Sequence, residues 1–234
     1  TADASPGNYD WSAGFARANV PGVRVHGMGC IDMDILWRPY PSYAGQDAAL
    51  PSNYDWAVAD ECIANAVAAG LHVNVRFGHS RALAADYPDF SQPPDDNTVF
   101  AAVCGTIANR YVNVKGYGAG GLVRDFSVWN EPSSPFEDGE VSPFYVGTAT
   151  QYEAMYYAVY KELKVTRAAT LGAKVRVGAA VNMNDFSKEF LETLKARPAS
   201  DGMGIDFLDF HTYAATPASL EWQIYGKGAD SLEG

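Results

Sequence analysis

Five polar clusters each follow an apolar, strand-like stretch of the sequence: His26-Gly27, Gly78-His79, Asn130-Glu131-Pro132, Asn182-Met183-Asn184 and His211-Thr212-Tyr213. Between them they hold three of the four histidines of the chain and a glutamate flanked by an asparagine and a proline. A carboxyl in such a place can lend a proton and take it back, while imidazole, amide and phenol groups exchange hydrogen bonds with hydroxyls. The same residues have plainer uses. A strand-end histidine can simply cap a core, and Asn and Pro both form turns. His72, inside an alternating stretch, reads as structural, and Glu137, Asp138 and Glu140 read as a solvated loop. Asp32 and Asp34 are metal ligands by type, but Asp-x-Asp without the Gly and Glu of a calcium loop is weak.

These clusters need elements that bring them to one end. Val23-Arg24-Val25-His26-Gly27 alternates after Pro21-Gly22 and predicts a strand, with a long loop from Met28 to Asn53 behind it. Val58, Cys62, Ile63, Ala66 and Val67 recur at helical spacing up to Gly70, and Leu71 to Phe77 then alternates as a second strand. The cycle repeats. Phe100, Val103, Cys104, Ile107 and Tyr111 form a helical stripe, and a Gly-rich turn over 116–121 leads into a strand over 123–129. Thr150 and Glu153 have the spacing of a capping box for a helix carrying Met155, Val159 and Leu163, closed by Gly172. A strand over 174–181, a helix with Phe186, Phe190, Leu191 and Leu194 inward, a strand over 205–210 and a helix start at 230–233 complete the series.

Strands alternating with single helices predict an α/β fold with a parallel sheet, whose functional groups gather beyond the carboxyl ends of the strands. The five strand starts are spaced such that a closed eight-stranded barrel needs roughly 300–400 residues. With 234 residues, the chain is expected to be either an open five-stranded sheet or part of a longer (β/α)8 barrel, and the second reading is preferred. The whole of 1–234 then forms a single catalytic-barrel domain truncated at both ends.

Composition narrows the partners. A formal net charge of -11 repels phosphate backbones and anionic lipid, so nucleic acid is not expected. No apolar run reaches the roughly 18–20 residues of a membrane span. No phosphate-binding glycine loop opens a helix after any strand, and the glycines at 116–121 precede a strand, which argues against nucleotides. Cys30, Cys62 and Cys104 stand far apart with no CxxC pair and read as small buried hydrophobes. With 5 Trp, 14 Tyr and 11 Phe in an acidic chain, rings are plentiful for stacking on sugars as well as for a core. The N-terminal residues lack the basic and apolar regions of a signal peptide. Low Lys and Arg content and the aromatics favour an extracytoplasmic protein, against which three unpaired-looking cysteines weigh.

Phe126-Ser127-Val128-Trp129-Asn130-Glu131-Pro132 resembles the Asn-Glu-Pro signature at the end of strand four in clan A glycoside hydrolases, which are (β/α)8 barrels. Val23-Arg24-Val25-His26-Gly27 with Asp32 and Asp34 downstream is similar to the Arg-Phe-His-Gly segment of family 39, which includes β-xylosidases, α-L-iduronidases and exopolysaccharide hydrolases. Asp55 to Gly78 looks like the next unit of that family, and Asp209-Phe210-His211-Thr212-Tyr213 like its strand-six Phe-His-x-Tyr. The likeness runs in order from Val23 to Tyr213. It implies that the visible strands are barrel strands two to six.

The resemblance implies a retaining glycoside hydrolase acting on an oligo- or polysaccharide, with no metal and no organic cofactor. Glu131 would be the general acid/base and Asn130 would donate to the sugar 2-hydroxyl, while His26, His79, His211 and Tyr213 would bind substrate and Tyr213 would orient the nucleophile. A retaining enzyme needs a second carboxyl about 5–5.5 Å from the acid, which attacks the anomeric carbon. In the family that is a glutamate at the end of strand seven, a strand outside the sequence. Glu221 lies eight residues beyond Tyr213, too close to admit the intervening helix, and is set aside. The nucleophile is therefore expected from a further segment or a second chain. Two other readings stay open: a non-catalytic carbohydrate-binding relative lacking the nucleophile, and a partial α/β barrel completed by a partner chain.

Overall fold

The computed structural model describes residues 26–27, 30–31, 33–78, 91–132, 144–181, 184–198, 201–202 and 204–209. Its centre is a parallel sheet of β1 (His26–Gly27), β2 (Cys30–Ile31), β3 (His72–Phe77), β4 (Val123–Val128), β5 (Arg176–Ala180) and β6 (Phe207–Asp209). β1 and β2 both pair with β3, as two pieces along one edge, and the order then runs β3-β4-β5-β6. The connecting helices are α1 (Met33–Leu36), α2 (Ala57–Ala68), α3 (Asn97–Asn109), α4 (Ala149–Lys161) and α5 (Asp185–Lys195). A parallel α/β sheet with helical crossovers is thus what the alternation of periods predicts.

Local signals explain most boundaries. Asp96 caps α3 by accepting from the amides of Thr98 and Val99 at 2.8 and 3.1 Å, and Gly70 ends the α2 segment at φ +75°, a conformation that costs glycine little. The helical stripe of α3 is fully buried, as are Met155, Val159 and Leu163 of the α4 row. Both helices finish in a π-helical turn, over Arg110–Val114 and Glu162–Thr166.

Several expectations are corrected. The capping box of α4 is Thr148 with Gln151, two residues earlier than the Thr150–Glu153 pair. Glu153 is 2% exposed and ion-paired with Arg197, so its carboxylate is committed to tying α4 to the end of α5. Gly172 opens a short 3-10 turn rather than closing the helix. Leu191 is exposed, because the apolar stripe of α5 is narrower than its sequence suggests. The segment 28–53 is no open loop: it carries β2, α1 and a 3-10 turn, and its Trp37 and Tyr43 are core residues, 0% and 3% exposed. Of the cysteines, Cys104 is buried and Cys62 half-buried, both as free thiols.

The two faces of the sheet have different chemistry. Val73, Val75, Phe77, Phe126, Val128, Val177 and Ala179 are buried in the hydrophobic core. On the opposite face, register aligns Asn74 with Asp125 and Arg76 with Ser127, then Asp125 with Arg176, and Ala180 with Asp209. Asn74 donates to Ser127 Oγ at 2.9 Å and to Asp209 Oδ2 at 3.2 Å. β3 and β6 are three strand spacings apart, about 14 Å in a flat sheet, far beyond the reach of two short side chains. The sheet is therefore strongly curved, with this polar row on its concave side. Gly178 permits the curvature, since a Cβ there would lie 2.3 Å from the Phe207 ring.

Candidate active site

The carboxyl end of β4 is where the backbone departs from ordinary geometry. Trp129 has φ 67° and Glu131 φ 42°, left-handed values that non-glycine residues adopt at a cost of roughly 1–3 kcal/mol each. Two such residues in three persist because their surroundings hold them. The Trp129 amide donates to the Phe77 carbonyl at 2.6 Å, and its indole N–H donates to the Phe144 carbonyl, also at 2.6 Å. Gly78, at φ 102°, lies under the ring, and a Cβ on it would come within 2.5 Å of the indole. On the helical side, the Tyr152 hydroxyl donates to the Val128 carbonyl at 2.8 Å.

This turn places an amide and a carboxylic acid side by side. Asn130 is 4% exposed, and its Oδ1 is buried with no hydrogen-bond partner. An unpaired buried acceptor costs about 1–3 kcal/mol, so such an atom is normally met by water or a bound ligand. Glu131 is half-buried beside it. A second orphan, the Tyr145 hydroxyl, sits nearby, with its ring edge-on to Trp129 at 5.5 Å. Burial pushes the Tyr145 phenol well above its ordinary pKa, so it stays a neutral donor.

A cavity of about 240 Å³ opens next to this turn, with Trp129 and Gly78 among its lining residues and Tyr40, Pro41, Pro93 and Pro94 among the others. Its rim is fastened by Asp95, which accepts from the amides of Tyr43 and Ala44 at 2.7 and 3.1 Å and from the Ser42 hydroxyl at 3.3 Å. Rings and prolines with a few polar groups suit the faces of a sugar, whose C–H groups pack on aromatics. Among the described residues, no three His, Cys, Asp or Glu side chains gather as a metal site, and no helix is long and apolar enough to cross a membrane.

Asn130 and Glu131 are adjacent at the expected strand end. His26 is not with them: it pairs with His72 at the start of β3, five residues or about 16 Å short of Phe77, where Trp129 attaches. The strand edge continues past His26 through Cys30–Ile31, and this register corrects its placement at a carboxyl end. His79, His211 and Tyr213 lie outside the described residues, as do Asp32, Asn182 and Glu221. His72 itself contacts the Gly121 carbonyl through Nδ1 at 3.2 Å, at the opposite end of the sheet from Glu131. Sequence reasoning placed Gly78 at a strand end without a role of its own, and missed Tyr152 and the Asn74–Ser127–Asp209 row. Only the last left a signal, in the polar positions of the alternating Leu71–Phe77 stretch.

Solved structures include likenesses to this arrangement of strands and helices. The chain shares its fold with a glucosidase. That enzyme, from Croceicoccus marinus, superposes with a TM-score of 0.55 at 22% identity, over 76% of this chain and 34% of its own. A xylanase from Paenibacillus barcinonensis, solved with a conduramine derivative, gives a TM-score of 0.43 at 12% identity over 75% and 53% of the two chains. The chain thus spans about a third of the length of the glucosidase. No protein-family model and no curated protein matches it.

Proposed function

We propose that this chain is the central part of a (β/α)8-barrel glycoside hydrolase of the retaining type, similar to family 39, with Glu131 as its general acid/base. The observation that carries the reading is the turn after β4. There a buried Asn130 with an unpartnered oxygen sits beside Glu131, on backbone whose φ values fold it away from the sheet. Strain and an unsatisfied polar atom together are costs that a merely structural turn would not retain. The glucosidase likeness supports the fold, and its described activity accords with an acid in this position.

In the reaction, Glu131 gives its proton to the departing glycosidic oxygen and later, as carboxylate, takes one from the attacking water. The Asn130 amide binds the sugar 2-hydroxyl, an interaction that strengthens as the ring flattens towards an oxocarbenium ion. The aromatic and proline walls of the adjacent cavity hold a sugar ring against Trp129. A second carboxylate about 5–5.5 Å from Glu131 completes the pair, supplied by a further segment or a second chain.

The deciding experiment compares Glu131→Gln with the unsubstituted protein on glycosides of poor and good leaving groups. Turnover of the poor leaving group should fall about 10²–10⁴-fold, with a much smaller loss on activated aryl glycosides, which need little acid assistance. Equal losses on both would remove Glu131 from the acid role. Sugar binding without turnover in the unsubstituted protein would point to the non-catalytic carbohydrate-binding reading.

A further inference from the structure

The ladder between β4 and β5 ends at the pair Val128 and Ala179. In a parallel sheet, the rung that closes this pair runs from the Ala180 amide to the Val128 carbonyl. The Tyr152 hydroxyl bonds to both groups of this rung. It donates to the Val128 carbonyl at 2.8 Å and accepts from the Ala180 amide at 3.0 Å. A side chain from α4 thus enters the last rung between β4 and β5, where the Trp129-Asn130-Glu131 turn leaves β4.

We propose that Tyr152 is a positioning residue for Glu131: its inserted hydroxyl sets the direction in which the chain leaves β4, and so the aim of the carboxyl. Three observations converge on this. The hydroxyl is bonded to the residue immediately before the turn, and on the other side of β4 the Trp129 amide is pinned to Phe77, so the exit is gripped from two directions. Both left-handed residues follow within three positions of the inserted rung. The ring cannot drift, since Tyr152 is completely buried, with Phe190 at 4.9 Å and Tyr145 at 5.9 Å between ring centres. Without the hydroxyl, the carbonyl and the amide each lose a buried partner, and only their direct rung is left to set the spacing at the strand end. That would draw the end of β4 towards β5 and turn Glu131 away from its present line.

The same helix provides an internal control. Tyr156, one turn further on, is likewise fully buried and donates to the carbonyls of Val177 and Gly204 at 3.3 and 3.0 Å. The Val177 carbonyl lies at the level of Phe126, two residues before the β4 exit, and neither carbonyl belongs to the turn. Tyr156→Phe therefore removes a comparable hydrogen bond without touching the turn.

The kinetic arm rests on the hydrolase reading. In Tyr152→Phe, kcat on a glycoside with a poor leaving group should fall at least tenfold at unchanged KM, while kcat on the 4-nitrophenyl glycoside of the same sugar falls less than threefold. Tyr156→Phe should lower both equally or neither. Equal losses in Tyr152→Phe, or the same split in Tyr156→Phe, would overturn the proposal. A second arm needs no activity: carbon-13 NMR titration of the Glu131 carboxyl, assigned by its loss in Glu131→Gln. Tyr152→Phe should displace its midpoint and Tyr156→Phe should not, whereas an unmoved midpoint in Tyr152→Phe overturns the proposal. If the unsubstituted protein hydrolyses nothing yet the midpoint moves, the hydrolase reading fails while the positioning role stands.

Discussion

The convex and concave faces of the curved sheet are built on opposite principles. On the convex side, the side chains of β3, β4 and β5 are apolar and sealed beneath the helices, where Val75, Phe77, Phe126, Val128 and Val177 have no exposed area. On the concave side the same strands present Asn74, Arg76, Asp125, Ser127 and Arg176, and Asp209 joins them from β6. The first face is held by apolar burial, which is non-directional and tolerant of detail. The second is held by hydrogen bonds and ion pairs whose partners are individually specified, such as the fork of Arg176 on Asp125 at 2.5 and 2.6 Å. The difference teaches where each kind of substitution should register: stability on one face, and the geometry of the strand ends on the other.

The largest effect should come from the convex face. Phe126→Ala removes a ring that is stacked on Phe77 at 5.4 Å between centres, and should destabilise the fold by about 3–5 kcal/mol, measured by urea unfolding. A cost near that of an exposed site would show that the sheet is not sealed there. Next, Asn74→Ala breaks the bonds to Ser127 and Asp209 together and should cost about 1–3 kcal/mol. Asn74→Leu, of similar bulk, should cost no less, because Asp209 loses a hydrogen bond in either case. If leucine proves harmless, the polar row is not what holds the curved face.

Asn130→Ala sharpens the contrast from the functional end. Because its buried oxygen has no partner, removing it should leave stability unchanged or raise it by about 1 kcal/mol. On the proposed hydrolase reading, activity should fall through kcat rather than KM, as for a contact made chiefly in the transition state. Loss of stability parallel to loss of activity would make Asn130 an ordinary turn residue.

The smallest effect belongs to the helical layer outside the sheet. Burial disfavours the ionised form of Asp60, but hydrogen bonds from Arg110, Lys115 and Tyr111 outweigh it and hold the carboxyl at about 2, below its usual 3.8. The folded pKa is the lower one, so the stabilisation is complete above about pH 4 and disappears as pH falls towards 2. Asp60→Asn should therefore cost about 1 kcal/mol at neutral pH and should flatten the stability profile between pH 4 and 2. An unchanged acid limb would show that the network contributes nothing.

Much of the fold was legible because it is written in periods. The alternation in Leu71–Phe77 and the helical stripe of Phe100–Tyr111 need only a buried side to become β3 and α3, and Asn130-Glu131 fell at a strand end because the Asn and Pro turn formers follow the β4 stretch. The capping box was misplaced by two residues because Thr148–Gln151 and Thr150–Glu153 both fit a local rule. Arg197, distant in sequence, claimed Glu153 and decided between them.

What the order of residues determined alone is the class of fold, its longer helices and strands, and the proximity of an amide to a carboxylic acid, since each depends on neighbours a few positions apart. The tertiary structure decided the rest: that His26 pairs at the far end from Glu131, that Asn74 meets Asp209 across a curved sheet, and that a tyrosine from a helix joins the last rung between two strands. Register, curvature and insertion join residues separated by tens to more than a hundred positions. No local pattern encodes them, because their energy exists only once both partners have been brought together.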